Sequence, residues 1–109
     1  MRRVIKDEDR LWEVIKPCLK GRWERLEAIV PDGLPDCMGL WNRATWWSEL
    51  KVGAPNINKL RPKQIDFGYQ CIKRGIPIFS CFGHKGRVLW FKDFDFERVV
   101  VPAFFRPLT

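Results

Sequence analysis

The chain lacks any apolar run long enough to cross a bilayer. Its longest, Val99 to Phe105, is interrupted by Pro102 and falls far short of the ~20 residues a spanning helix needs. No secretory leader is expected either. Met1-Arg2-Arg3 leads almost directly into Lys6-Asp7-Glu8-Asp9-Arg10, with no apolar stretch between. The expectation is a soluble cytoplasmic protein with no membrane partner. Cysteine pairs are also absent. Cys18, Cys37, Cys71 and Cys81 form no C-x-x-C, and the Cys81/His84 spacing leaves a zinc site short of ligands. Reduced, mostly buried thiols are expected instead. His84 is the only histidine and lies in a Gly-flanked turn, which reads as an exposed hairpin position and not as a catalytic base. No repeat, low-complexity tract or long linker divides the 109 residues, so residues 1–109 read as one domain.

What is present is a core-forming and basic composition. Hydrophobic residues make up 46% and charged residues 30%, which excludes disorder as the main state. Six Trp and eight Phe supply most of a small core. Twenty Lys+Arg against 13 Asp+Glu give a net charge of +7. That balance favours nucleic acid or another anionic partner.

The spacing predicts a helix from Asp7 to about Lys20, with Leu11, Val14, Ile15 and Cys18 on one face. Arg22 to Val30 reads as a strand, and Pro31-Asp32-Gly33 as a turn. Asp36 to Trp41 and Ala44 to Val52 read as a β-hairpin turning at Asn42-Arg43. Gly53 to Asn58 is a loop that serves as a connector or as a DNA contact just after Lys51. Pro62 opens a helix running to about Arg74, ended by Gly75. Ile76 to Phe82 is an apolar strand, Gly83-His84-Lys85-Gly86 a turn and Arg87 to Phe91 its return strand. Asp93 to Val101 fits either a short helix or a final strand. The order α-β-β-β-α-β-β is that of a mixed α/β domain.

The hairpin carries the chemistry. With its turn centred on Asn42-Arg43, Asp36 lies opposite Glu49, with Cβ atoms about 5 Å apart on one face. Like charges so placed destabilise a sheet unless a cation lies between them. Two converging carboxylates suit Mg²⁺, which takes hard oxygen ligands and keeps several waters. Lys51 shares the face of Glu49. There it can orient a water, help remove its proton or stabilise charge developing at phosphorus. Leu50 points the other way, into the core. Taken singly, each of these residues also fits a turn or a solvated strand face.

Gly33-Leu34-Pro35-Asp36, Glu49-Leu50-Lys51, Leu60-Arg61-Pro62-Lys63-Gln64 and Gly75 before an apolar strand together resemble the VRR-NUC (virus-type replication-repair nuclease) branch of the PD-(D/E)xK nucleases. Arg25-Leu26-Glu27 looks like the Arg-x-Glu that often precedes Gly-x-Pro-Asp there. The resemblance covers about Trp23 to Phe82 and is closest to the compact stand-alone phage and bacterial members. It implies a restriction-endonuclease-like fold, a mixed sheet flanked by helices. It implies that Asp36 and Glu49 bind Mg²⁺ or Mn²⁺, with the Leu50 backbone carbonyl nearby. Lys51 would position the attacking water. Glu27 would be an auxiliary acid, and Gln64 would orient Lys51 or the scissile phosphate. The implied reaction is phosphodiester hydrolysis with the metal as Lewis acid and water activator. The implied assembly is a homodimer that cuts four-way (Holliday) DNA junctions, because paired cuts need two sites related by a two-fold axis.

Lys59, Arg61, Lys63, Lys73 and Arg74 are candidates for phosphate contact; the alternative is a solvated helix surface. Trp41, Trp46 and Trp47 are assigned to the core or a dimer interface. Val99 to Phe105 either closes the core or is covered by a partner subunit. Two other functions compete. One is a flap, nicking or nonspecific nuclease with the same site. The other is a non-catalytic nucleic-acid-binding module, in which opposed carboxylates would repel the phosphate backbone to no purpose.

Overall fold

The computed structural model describes residues 4–26 and 33–107. Helix α1 spans Glu8–Ile15, and the Asp7 side chain caps it by accepting from the Arg10 N–H at 2.8 Å. It stops earlier than the periodicity predicts. Pro17 has no N–H to donate and crowds the preceding turn, so the chain continues as a 3₁₀ turn, Lys16–Cys18. Strand β1 covers Arg22–Arg25 and ends before Leu26, where the expected strand continues; residues 27–30 of that strand and 31–32 of the expected turn lie outside the described residues.

Strands β2 (Cys37–Trp41) and β3 (Ala44–Val52) form the expected hairpin, in register from Cys37↔Ser48 to Trp41↔Ala44. Asn42 and Arg43 both take left-handed φ, 53° and 62°, as a two-residue turn matched to strand twist requires. Helix α2 (Pro62–Lys73) crosses over to β4 (Ile78–His84), which pairs parallel to β3. Strand β5 (Arg87–Lys92) returns antiparallel. The sheet order is β1-β2-β3-β4-β5. This is an α/β fold with a mixed sheet and two helices among the described residues, consistent with the restriction-endonuclease-like architecture.

Two boundaries differ from expectation. Gly83 and His84 belong to β4, so the turn falls on Lys85 and Gly86, both at positive φ. Residues 93–101 form neither helix nor strand; a single antiparallel bridge joins Trp90 and Val100. Asp93 and Phe94 adopt φ of 55° and 61°, which breaks the extended path directly after β5.

Strand alternation divides the side chains between two faces. On one, Trp23, Cys37, Leu50, Cys81 and Trp90 pack with Leu11 and Ile15 of α1 and with Phe104. Phe104 is fully buried, with ring centroids 4.7 Å from Trp23 and 5.1 Å from Phe79. This segment therefore closes the core, although Val99 and Val101 remain exposed. Trp46 joins the same aromatic cluster and packs against Trp41. On the other face Trp47 meets Phe67 of α2 edge to face at 5.6 Å. The two helices thus lie on opposite faces, and the candidate site residues share the α2 face. All four cysteines are buried free thiols.

Candidate metal and phosphate site

Strand β3 places Glu49 and Lys51 on the α2 face and sends Leu50 to the α1 core. Leu50 and Glu49 are both fully buried, but only Leu50 belongs there on transfer energetics. Neither carboxylate oxygen of Glu49 has a hydrogen-bond partner among the described residues. A buried carboxylate left this way is unfavourable by several kcal/mol in order of magnitude if it is charged. Burial pushes its pKa up first, and the Asp36 charge pushes it further, to about 8. Lys51 first, then the Asp36 backbone amide, which lies near Glu49 but outside hydrogen-bond geometry, and then Arg61 offset part of that rise.

Asp36 sits one residue before the β2 ladder begins, in a bend. It is therefore not a ladder partner of Glu49. Its backbone carbonyl accepts from Leu26 N–H at 2.8 Å, which holds it to the end of β1. Its carboxylate reaches across to β3 instead. Oδ2 accepts from the Leu50 N–H at 2.8 Å and lies 4.0 Å from Lys51 Nζ. Asp36 is thus close enough to raise the cost of ionising Glu49, and Lys51 stands beside both. The Cys37 thiol also feels both charges: burial, then Asp36, then Glu49 push it upward. The region is a negatively charged well with Lys51 at its edge and Arg61 within electrostatic reach of Glu49.

Gly33 brings the second half of the site to this well. It takes φ of +99°, and a Cβ there would stand 3.0 Å from Lys63 Cβ and 3.2 Å from the Lys63 carbonyl oxygen. Only glycine permits that approach. It seats the segment leading to Asp36 against the first turn of α2. Gln64, third residue of that helix, is fully buried. Its Oε1 accepts from the Arg61 N–H at 3.1 Å, so Nε2 is left as the available donor and has no partner among the described residues. Gly33→Ala should cost about 1–2 kcal/mol in urea denaturation from the left-handed backbone alone. It should also weaken any divalent-cation dependence, because Asp36 loses its seat.

The predicted phosphate contacts divide into two groups. Lys59, Arg61 and Lys63 cluster at the N-terminal end of α2, the end whose Arg61 acts on Glu49. Lys59 Nζ is folded over Gly53, within 2.9 Å of where a Cβ would stand. Lys73 and Arg74 lie at the other end of the helix, about 15 Å further along its axis. Arg74 is engaged there with the Gln70 carbonyl and side-chain oxygens at 3.0 and 2.7 Å. Glu27 lies outside the described residues. Its neighbour Arg25 is tied to Asp9 in an ion pair.

Among the described residues no group of three or more His, Cys, Asp and Glu side chains gathers as a metal site. The pair Asp36 and Glu49 nevertheless fits Mg²⁺, an ion held by one or two carboxylates with water completing an octahedron. The orphaned oxygens of Glu49 are the observation that favours this fit. One polar residue of the site was not foreseen. Ser80 pairs with Glu49 in the parallel ladder and is buried, with its hydroxyl unpartnered among the described residues. No protein-family model and no curated protein matches the chain.

Proposed function

We propose that this protein is a metal-dependent endodeoxyribonuclease of the VRR-NUC type that hydrolyses phosphodiester bonds in branched DNA. Its preferred substrate would be the four-way junction and its working form a homodimer. The observation that carries the reading is Glu49: a fully buried carboxylate with both oxygens unpartnered, on the same face as Lys51 and electrostatically coupled to Asp36. A non-catalytic binding module gains nothing from such a group. It destabilises the fold and repels phosphate unless a cation offsets it.

Asp36 and Glu49 would hold Mg²⁺ or Mn²⁺, which supplies Lewis-acid stabilisation of the phosphorane-like charge and acidifies water. Lys51 orients the attacking water and offsets charge at the phosphoryl oxygens. Gln64, fixed through Oε1, offers Nε2 as a donor to Lys51's water or to the phosphate. Lys59, Arg61 and Lys63 hold the backbone of the strand being cut, and the +7 net charge steers DNA to the site. The cytoplasm fits the same reading, since thiols such as the four buried here remain reduced there.

The test is a labelled four-way junction beside a matched linear duplex, each with Mg²⁺, with Mn²⁺ and with chelator. Symmetric paired cuts in the junction alone, lost on chelation, are the expected result. Equal cutting of the duplex would replace the junction preference with a general, flap or nicking nuclease. Metal-independent binding to both substrates with no cleavage would overturn the enzyme in favour of a binding module.

A further inference from the structure

We infer that the Ser80 hydroxyl is a positioning group for Glu49, donating a hydrogen bond to its carboxylate and thereby setting the oxygen that faces a divalent cation. The inference rests on the metal-site reading of Glu49 and adds a residue to it.

The sheet supplies the argument. Glu49 and Ser80 are Cα partners in the parallel β3/β4 ladder, so their side chains leave the same face about 4.8 Å apart. The other neighbours of Ser80 on that face are Ile78 and Phe82 along its own strand and Phe91 across β5. All three are buried hydrocarbon. Within the sheet Glu49 is thus the one adjoining polar side chain. Ser80 is 1% exposed, and its Oγ has no partner among the described residues, while both oxygens of Glu49 are in the same condition. Two orphans side by side are each unfavourable, since neither keeps the water it would bond when unfolded. Rotation about the serine χ1, among wells of similar energy, converts donor and acceptor into a pair.

The chemistry of the pair runs one way. A hydroxyl donating to one carboxylate oxygen favours the charged form and leaves the other oxygen directed elsewhere. That is how outer hydrogen bonds orient metal-ligating carboxylates. A role in packing alone would be met better by alanine, which brings no polar atom into an apolar surround.

The experiment is calorimetric titration of Mn²⁺ into the metal-free full-length chain without DNA, for wild type, Ser80→Ala, Ser80→Thr, Ser80→Cys and Glu49→Gln. Denaturation in chelator accompanies each. Ser80→Ala should weaken Mn²⁺ binding about tenfold, with a fall in the metal-free denaturation midpoint because the buried Glu49 loses its donor. Ser80→Thr keeps the hydroxyl and should bind close to wild type. Ser80→Cys, a weaker donor of similar size, should fall between and serves if the threonine methyl is not tolerated. Wild-type affinity in Ser80→Ala, with binding lost in Glu49→Gln, overturns the role of Ser80 and leaves the metal site standing. Mn²⁺ binding weakened in Ser80→Thr and Ser80→Cys as much as in Ser80→Ala also overturns it, because the hydroxyl would then not be what the site uses. Absence of Mn²⁺ binding in wild type removes both readings.

Discussion

Glu49→Gln is expected to eliminate metal-dependent cleavage and to stabilise the metal-free protein in the same step. The substitution keeps side-chain volume and removes the charge. Loss of a cation ligand at the reacting phosphate should lower the cleavage rate by about 10³-fold or more, the scale on which deleted transition-state electrostatics are felt. In chelator near pH 8 the variant should gain about 1–3 kcal/mol, because a buried carboxylate with no partner becomes a neutral amide. Most substitutions at fully buried positions destabilise, so a gain is a specific signature of a group kept for chemistry. Lys51→Ala supplies the contrast. It too should abolish cleavage, but it removes the cation beside Asp36 and Glu49 and should lower metal-free stability at high pH. Opposite signs in urea denaturation for two equally inactive variants would distinguish this site from a mere ion pair. Retained cleavage in both variants would remove the site assignment.

The parts of the site that lie within one hairpin were legible in the sequence. A two-residue turn at Asn42-Arg43 fixes the register, and strand alternation then puts Glu49 with Lys51 and turns Leu50 away. The start of α2 was legible for a similar reason, since Pro62 is favoured in a first turn and Gly75, at φ of +76°, ends the helix. What crosses between elements was harder to read. Asp36 leaves the ladder because its carboxylate finds the Leu50 N–H, a side-chain bond that no periodicity reports. Ser80 sits in an apolar run that reads only as a buried strand. Its meaning depends on which residue of β3 it faces, and the crossover through α2 sets that. Asp93 and Phe94 hide their kink as well. Left-handed backbone is signalled by Gly or Asn and more weakly by Asp, so Asp93 is a faint signal and Phe94 gives none. Lys73 and Arg74 were grouped with Lys59, Arg61 and Lys63 by charge, but helix length separates them.

Metal-free stability should fall as pH rises from about 5 to about 8, and divalent cation should reverse that trend. The sign follows from Glu49. Its carboxyl ionises near 4.5 in the unfolded chain and near about 8 in the folded one. Between those values the folded state binds more protons than the unfolded state, so each rise in pH favours unfolding. The contribution is fully present below the unfolded value and is lost as pH passes through the folded one. Its steepest slope is about 1.4 kcal/mol per pH unit, an upper bound for one group. Asp36 is already part of that shift, its negative charge being the second cause after burial. A cation between the two acids acts on the charged form, so its stabilisation should grow with pH, reaching about 2.7 kcal/mol when it is present at 100 times its Kd. Urea denaturation across this range, with chelator and with Mg²⁺, reads both slopes. Glu49→Gln should flatten the first and abolish the second. A wild-type protein whose metal-free stability does not change between pH 5 and 8, and is the same with Mg²⁺, would mean that Glu49 ionises in the folded chain as it does in the unfolded one. The case for a cation at this site would then be gone.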